Sequence, residues 1–332
     1  MLLKKILVIQ TASIGDVILM TSVLEKLNQK HPESKIDILI KKENASLFTL
    51  HPFISSLLLL DKKENKYKNI LKLIFQIRDE KYDLIVNLQR FFSSGMITVF
   101  SGSKQTRGFK KNPLSLFFSK RFHHSISPHS KLHEIDRNQK LIEDITDSTP
   151  AKCKLYPSQH DYAKTSEFKT QKYICIAPGS LWQTKQFPKE NWIAFASQIK
   201  TDTLIYYIGG KNEFELSEEI RRDSKHQNSI NLCGKFTLLE TTALMEHAYM
   251  NFTNDSAPLH LASSVNAPVA AIFCSTVPEF GFGPLSEHSH IIQTEKELKC
   301  RPCGLHGFTS CPEKHFNCGH TIDIQKLLTI IQ

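Results

Sequence analysis

Short apolar runs alternate with helical stretches along this chain, and the alternation constrains the fold more than any other feature. In the first half, strand-like runs cover residues 5–10, 36–40, 57–60 and 84–88, and helix-like runs cover 17–29 and 70–80. Strands that alternate with helices pair in parallel, because each helix crosses over a face of the sheet. The sequence therefore predicts an α/β protein with a doubly wound sheet.

The same alternation restarts after a polar stretch between about residue 150 and residue 172. Strand-like runs then cover 173–177, 204–208, 251–253 and 269–273, and helix-like runs cover 191–199, 214–222, 238–246, 259–265 and 322–331. A chain of 332 residues suits two domains better than one. We therefore predict an N-terminal domain over residues 1–160 and a C-terminal domain over 161–332, which includes a cysteine-rich segment and a terminal apolar helix.

Polar loops follow three of the predicted strands and precede helices. They cover residues 11–16 (Thr-Ala-Ser-Ile-Gly-Asp), 177–180 (Ala-Pro-Gly-Ser) and 254–260 (Asn-Asp-Ser-Ala-Pro-Leu-His). Ligands of open α/β sheets bind beyond the carboxyl ends of the strands, and helix N-termini offer N–H groups to anions. No G-x-G-x-x-G motif surrounds Gly15, so a nicotinamide cofactor is weakly supported. These loops predict a site for an anionic small molecule.

Two residues of these loops each have a structural and a chemical interpretation. Asp16 either caps the helix that follows it or takes a proton from a hydroxyl group of a substrate. Lys185 is either an exposed lysine or the partner of a phosphate group. The phosphate interpretation is favoured because Lys185 follows the 177–180 loop and precedes Pro188 and Trp192, which would anchor the next helix.

The remaining candidates lie in the second half of the chain. Glu213 follows a Gly-Gly turn, where it would either receive ribose hydroxyls or favour a helix N-terminus. Asp255 and Ser256 would cap the helix that carries His260. Pro258 in the first turn of that helix leaves neighbouring N–H groups available to a diphosphate.

The formal net charge of +9 favours nucleic acid, anionic lipid or phosphorylated molecules as partners. Much of the excess lies in the first half of the chain, which indicates either a solvated surface or a basic face on one domain. No nucleic-acid-binding motif accompanies the charge, so we expect no nucleic acid partner. No apolar run is long enough to span a bilayer or to form the core of a signal peptide, and we expect a cytoplasmic protein.

The eight cysteines divide into four scattered residues and one cluster, which contains Cys300, Cys303, Cys311 and Cys318. A Cys-x-x-Cys start is typical of zinc sites. The cluster lies at the end of a large domain rather than in a small fold of its own, so a reduced loop is the alternative. We favour the reduced loop and predict no metal.

The ordered set of motifs resembles glycosyltransferase family 9, the heptosyltransferases that build the inner core of lipopolysaccharide. The resemblance rests on the stretch 6–17, on Pro178-Gly179-Ser180 with Lys185 and Pro188, on Gly209-Gly210, on Leu232-Cys233-Gly234, and on Asn254-Asp255-Ser256 with Pro258 and His260. The cysteine-rich tail is also similar to that of many members. One departure is Ala257, where many members carry glycine.

The resemblance implies a GT-B architecture, in which two Rossmann-like domains face a central cleft. It also implies a metal-independent, inverting transfer without a cofactor, from an ADP-heptose donor to a lipid-linked anionic saccharide acceptor. The acceptor would bind to the N-terminal domain and the nucleotide sugar to the C-terminal domain. Such an acceptor implies transient contact with the membrane surface, at the inner face of the inner membrane.

The resemblance also assigns roles to individual residues. Asp16 matches the proposed general base, Lys185 the diphosphate-binding lysine and Asp255 the acidic residue of the donor site. Ser180, Ser256 and His260 fall on neighbouring donor-binding positions, and Glu213 is a further donor candidate. Candidate acceptor contacts are Ser13, Arg107 and Lys110.

Two other enzyme activities remain open at this point. One is a nucleotide-sugar epimerase of the same architecture, which would need an acid and a base around the donor instead of an acceptor site. The other is a family 9 transferase that moves a different sugar.

Overall fold

The computed structural model describes residues 3–61 and 65–331. In the first half, six strands are interrupted by helices: β1 Lys5–Ile9, α1 Ile14–Lys30, β2 Lys35–Lys41, β3 Ile54–Leu60, α2 Lys66–Asp79, β4 Leu84–Asn87, α3 Phe92–Val99, β5 Gln105–Phe109, β6 Lys120–Phe122 and α4 Glu134–Gln139. The second half continues with α5 Gln159–Thr165, β7 Tyr173–Ala177, α6 Lys189–Ser197, β8 Leu204–Tyr207, α7 Phe214–Ser224, β9 Ser229–Asn231, α8 Leu238–Glu246, β10 Met250–Asn254, α9 Ala257–Ser264, β11 Val269–Phe273, β12 Ser289–Gln293, α10 Asn317–His320 and α11 Gln325–Leu328.

The first sheet has the strand order β3-β2-β1-β4-β5-β6, and its pairs are parallel. Ile6 on β1 is in register with Ile36 on β2 and with Leu84 on β4. These strands are buried on both faces, which explains why their sequences are continuously apolar rather than alternating. The strand order reverses between β1 and β4, and this is where a doubly wound sheet binds its ligand.

The second sheet repeats this plan, with the order β12-β11-β10-β7-β8-β9 and parallel pairs. Its switch point lies between β7 and β10. The core on one face of this sheet contains Trp192 and Phe195 of α6, packed with Phe252 of β10. The packing of α6 fixes the loop that enters it, and that loop carries Lys185.

The chain divides into two compact units. One contains the residues up to Ile126 together with Leu132–Tyr156, and the other contains Ser127–Lys131 and the residues from Pro157 onward. No helix among the described residues has both the length and the apolar character that crossing a membrane requires.

Several local predictions differ from the structure. Helix α1 begins at Ile14 rather than at residue 17, so Asp16 lies in its first turn. The polar stretch around residue 160 contains helix α5, which is capped by Ser158. The apolar end of the chain is helical only over Gln325–Leu328, although Leu327 and Leu328 are buried in the core as the apolar pattern indicates.

Candidate active site

The switch point of the second sheet is organised by one buried side chain, Asn254 at the end of β10. Its amide nitrogen donates to the backbone oxygens of Pro178 (2.8 Å) and Gly179 (3.2 Å). Its amide oxygen accepts from the backbone N–H of Phe187 at 2.9 Å. The loop after β7 is therefore tied to the end of β10 on both sides of Ser180. Asn254 belongs to a predicted motif, but this role could not be assigned from the sequence.

Lys185 and Asp255 form an ion pair at this switch point. Nζ of Lys185 lies 2.6 Å from Oδ2 of Asp255, and the two side chains are 14% and 8% exposed. The hydroxyl of Thr276 donates to the same carboxylate oxygen at 2.6 Å. Asp255 thus holds the ammonium group of Lys185 at a fixed position next to the N-terminus of α9, where backbone N–H groups are available to an anion.

Thr276 belongs to a loop that a distant segment of the same unit holds in place. The guanidinium group of Arg301 donates to the backbone oxygens of Cys274 (2.7 Å), Phe273 (3.2 Å) and Thr276 (2.8 Å). The backbone N–H of Cys303 donates to the backbone oxygen of Ser275 at 2.8 Å. The cysteine-rich segment therefore supports the loop that contacts Asp255.

Sequence reasoning missed both Thr276 and Arg301. A signal for Thr276 was present, because it follows the apolar run 269–273 as the other candidate loops follow theirs. Arg301 carries no such signal, since most of its partners are backbone atoms more than twenty residues away along the chain, and it also donates to the Gln293 side chain at 2.7 Å.

Glu213 lies against the loop after β7. A Cβ atom on Gly179 or Gly209 would overlap the Glu213 carboxylate, so the two glycines allow this close approach. The carboxylate accepts from the backbone N–H of Gly210 at 2.6 Å. Burial raises the pKa of Glu213, although the Gly210 hydrogen bond acts in the opposite direction. A carboxylate with a raised pKa at a ligand-binding edge is typical of functional sites.

The other donor candidates also lie at this edge. Ser180 is half-buried, and its backbone oxygen accepts from the Gln186 side chain at 2.7 Å. Ser256 is the N-cap residue of α9, and Pro258 lies in the first turn of that helix. His260 is buried one turn further along α9. The structure therefore brings Ser180, Lys185, Glu213, Asp255 and Ser256 to one edge of the second sheet.

The first unit presents Ser13 and Asp16 at the switch point of its own sheet. Ser13 is the N-cap residue of α1, and the Asp16 carboxylate accepts from its backbone N–H at 3.2 Å and from its hydroxyl. Asp16 therefore caps the helix. It remains partly exposed at the carboxyl edge, so capping leaves the general-base interpretation intact.

The two basic acceptor candidates have different environments. Lys110 is exposed at the end of β5, and its Nζ atom lies 2.9 Å from Nε2 of His123. Arg107 is only 1% exposed; it pairs with the Asp144 carboxylate and donates to the backbone oxygen of Leu141 at 3.1 Å. Burial alone would raise the pKa of Asp144. The hydrogen bonds from Lys120 and Arg107 have the larger combined effect, so the pKa of Asp144 lies below its ordinary value. Arg107 thus has a structural role, which corrects its assignment as an acceptor contact.

The cysteine cluster does not form a disulfide, and none of the other cysteines does so. Within residues 3–61 and 65–331, no three His, Cys, Asp or Glu side chains are grouped as a metal site. Sγ of Cys300 lies 3.9 Å from Nε2 of His315, and the Cys303 thiol donates to the backbone oxygen of Cys300 at 3.2 Å.

Two six-stranded parallel sheets of identical strand order define an α/β protein of GT-B architecture. A solved structure described as E. coli ADP-heptose lps heptosyltransferase II has the same fold, with a TM-score of 0.80 at 19% identity over 98% of this chain and 97% of that one. The chain belongs to glycosyltransferase family 9 (heptosyltransferase), whose family model matches residues 70–306. It is therefore a glycosyltransferase.

Curated relatives match a larger share of the chain than that range. Lipopolysaccharide heptosyltransferase 3 of Escherichia coli K12 is 26% identical over 282 residues, which cover 79% of this chain and 80% of the relative. Lipopolysaccharide heptosyltransferase 1 of Campylobacter coli is 25% identical over 317 residues, which cover 89% of this chain and 90% of the relative.

Proposed function

We propose that this enzyme transfers a heptose from ADP-heptose to a Kdo or heptose residue of the lipopolysaccharide inner core, with inversion at the anomeric carbon. The observation that carries the proposal is the Lys185–Asp255 pair beside the N-terminus of α9, at the switch point of the second sheet. The names of the relatives support the acceptor, and the ADP-heptose named with the solved structure supports the donor.

The C-terminal domain, residues 161–332, binds the donor in this proposal. Lys185 and the backbone N–H groups at the start of α9 contact the diphosphate, where Ser180 and Ser256 are neighbouring polar groups. Asp255 holds Lys185 in position, and His260 supports the same helix. Glu213 accepts hydrogen bonds from the ribose hydroxyls. Fixed charges and dipoles of this kind stabilise the diphosphate as it leaves.

The N-terminal domain, residues 1–160, binds the acceptor, with Ser13 and Lys110 as contacts. The acceptor hydroxyl oxygen attacks the anomeric carbon and forms the new glycosidic bond. The bond between that carbon and the diphosphate oxygen breaks, and ADP takes the bonding electron pair. Asp16 accepts the hydroxyl proton, which requires a carboxylate within hydrogen-bonding distance of the attacking oxygen. Because the acceptor is lipid-linked, the enzyme contacts the inner face of the inner membrane transiently from the cytoplasm.

In the proposed reaction, Lys185 and the backbone N–H groups of α9 stabilise the negative charge of the leaving diphosphate, and no divalent cation is needed. Activity is therefore expected to survive a strong chelator. Protein purified without a histidine tag is also expected to contain much less than one zinc per chain. Loss of activity in EDTA that magnesium restores would refute the metal-independent step, and stoichiometric zinc would refute the metal-free cysteine cluster.

The lipopolysaccharide of a strain that lacks this gene tests the proposed substrate. Mass spectrometry is expected to show a core truncated at an inner-core heptose, and the truncation point identifies the acceptor. A complete inner core, or truncation at another sugar, would contradict heptose transfer and favour a family 9 transferase for a different sugar.

A further inference from the structure

An apolar and basic surface lies on the first unit. Four large apolar side chains are unusually exposed there: Phe91 (52%), Phe92 (57%), Leu116 (73%) and Phe117 (69%). Lys110 and Lys111 are exposed in the same loop as Leu116 and Phe117. We call these six residues the apolar–basic patch.

The two segments of the patch are joined by the buried side chain of Asn112. Its amide nitrogen donates to the backbone oxygens of Gln89 and Phe91, at 3.0 Å in each case. Its amide oxygen accepts from the backbone N–H of Leu114 at 3.0 Å. A Cβ atom on Gly95 would overlap this oxygen, so the glycine lets the loop lie against α3. The exposed residues thus belong to one rigid surface.

The stretch of sequence that contains the patch carries charge of one sign. Residues 84–133 contain no Asp or Glu and eight Lys or Arg residues. Some of these cations pair with carboxylates from outside the stretch, as Lys104 does with Asp83 and Lys120 does with Asp144. Lys110 instead contacts His123. Exposed aromatic side chains flanked by lysines are the pattern of surfaces that insert shallowly into anionic membranes.

The position of the patch relates it to the acceptor side of the proposed reaction. Its segments follow β4 and β5, and the Ser13–Asp16 loop follows β1 at the same edge of the sheet. Adjacent strands lie about 4.8 Å apart, so the ends of β1 and β5 are separated by about 10 Å. A lipid-linked sugar at the patch would therefore lie close to Asp16.

We propose that the apolar–basic patch docks on the surface of an anionic lipid bilayer. This inference rests on the proposed function, because a lipid-linked acceptor gives the docking its purpose. A second copy of the chain is the less suitable occupant, since a symmetric dimer would bring two patches of the same charge together. A lipid surface satisfies both properties of the patch, because its headgroups are anionic and its interior is apolar.

Sedimentation with vesicles tests the docking without donor or acceptor, so its result does not depend on whether the proposed transfer is correct. The wild-type protein is expected to sediment with vesicles of equal parts phosphatidylglycerol and phosphatidylcholine, and to sediment poorly with pure phosphatidylcholine or in high salt. The double variant Leu116→Ser/Phe117→Ser is expected to bind the anionic vesicles at least about ten-fold more weakly. Lys111→Glu is expected to reduce the binding about five-fold.

The matched control changes the same residue types on another exposed surface of the same unit. Leu71 and Phe75 are exposed on α2, and Leu71→Ser/Phe75→Ser is expected to leave vesicle binding within about two-fold of wild type. Equal losses in both double variants, or unchanged binding in the patch variant, would overturn the assignment. A change in oligomeric state without a change in vesicle binding would also overturn it, in favour of a dimer.

A second readout links docking to transfer. The patch variant is expected to lose activity toward an acceptor embedded in anionic vesicles and to keep wild-type activity toward the same saccharide after its acyl chains are removed. Equal losses toward both acceptors would show that the patch residues support the fold or the active site instead of membrane docking.

Discussion

The two sheets have the same strand order, yet their carboxyl edges are built differently. The edge of the second sheet is assembled before any ligand binds, because Asn254 joins its loops and Lys185 is already paired with Asp255. At the edge of the first sheet, Asp16 is partly exposed and its carboxylate accepts from the Ser13 backbone within the helix cap. The difference suits a small charged donor on one side and a large acceptor on the other.

The largest effect is expected at the carboxyl edge of the first sheet. Asp16→Asn keeps an acceptor for the Ser13 N–H group but cannot take a proton at neutral pH, so turnover is expected to fall by about 10²–10⁴-fold while ADP affinity stays within a few-fold. Steady-state kinetics and calorimetric titration with ADP measure the two quantities.

The chain supplies a matched control for this variant. Ser158 and Asp161 form the same kind of cap on α5, where the Asp161 carboxylate accepts from the Ser158 backbone at 2.6 Å. Asp161→Asn is expected to leave turnover unchanged. Turnover near wild type in Asp16→Asn, or an equal loss in both variants, would reduce Asp16 to a capping residue and remove the chemical contrast between the edges.

A large effect is also expected at the preassembled edge. Lys185→Ala removes the diphosphate contact and leaves Asp255 buried without its cation, so kcat/KM should fall by about 10²-fold and the free energy of unfolding by about 3 kcal/mol. Kinetics and urea denaturation measure both losses. Lys189→Ala, which breaks the exposed pair with Glu219, should change neither. Normal donor affinity in Lys185→Ala would contradict the assignment of the donor site.

An intermediate effect is expected when Thr276, which donates to the carboxylate of that ion pair, is replaced. Thr276→Val removes the hydrogen bond to Asp255, so KM for the donor should rise by about ten-fold while kcat changes less, because the lysine is held less firmly. The control is Thr203→Val, since the hydroxyl of Thr203 also contacts a carboxylate, that of Asp202, but at an exposed position. An unchanged KM in Thr276→Val would remove Thr276 from the site.

The smallest effect is expected for replacement of Glu213. This change should raise the stability of the fold at neutral pH and lower the affinity for the donor. Because burial raises the pKa of the folded-state carboxyl, Glu213 contributes stability that is present below its ordinary pKa and is lost as pH rises through the raised value. Glu213→Gln should therefore unfold at a slightly higher temperature than wild type at neutral pH, and the gain should vanish in acid. Donor affinity should fall. Equal melting temperatures across the whole pH range would show that burial of the charge costs no stability.

The regular parts of both sheets could be predicted because their strands are continuously apolar. The runs 173–177, 238–246 and 269–273 agree with the observed elements at both ends. Two short strands at one side of the first sheet were missed: the edge strand β6 contains Lys120 and Arg121, and three of the five residues of its neighbour β5 are polar. Edge strands need fewer apolar residues, so their sequences resemble loops.

The candidate site could also be predicted only in part. Lys185 and Asp255 could be located because each follows a buried strand, and strand ends gather at one edge. The sequence could not show that they pair with each other, nor that Arg301 supports the loop around them, because those contacts depend on backbone positions far apart in the chain. Arg107 was misassigned for a related reason: its partner Asp144 lies more than thirty residues away.

The proposed transfer is tested most directly by ADP release. The purified enzyme is incubated with ADP-heptose in EDTA, with and without heptose-deficient lipopolysaccharide. ADP is expected to be released only when the acceptor is present, together with a gain of one heptose on that acceptor. Release or epimerisation of the sugar without acceptor, or transfer only when magnesium is added, would contradict it.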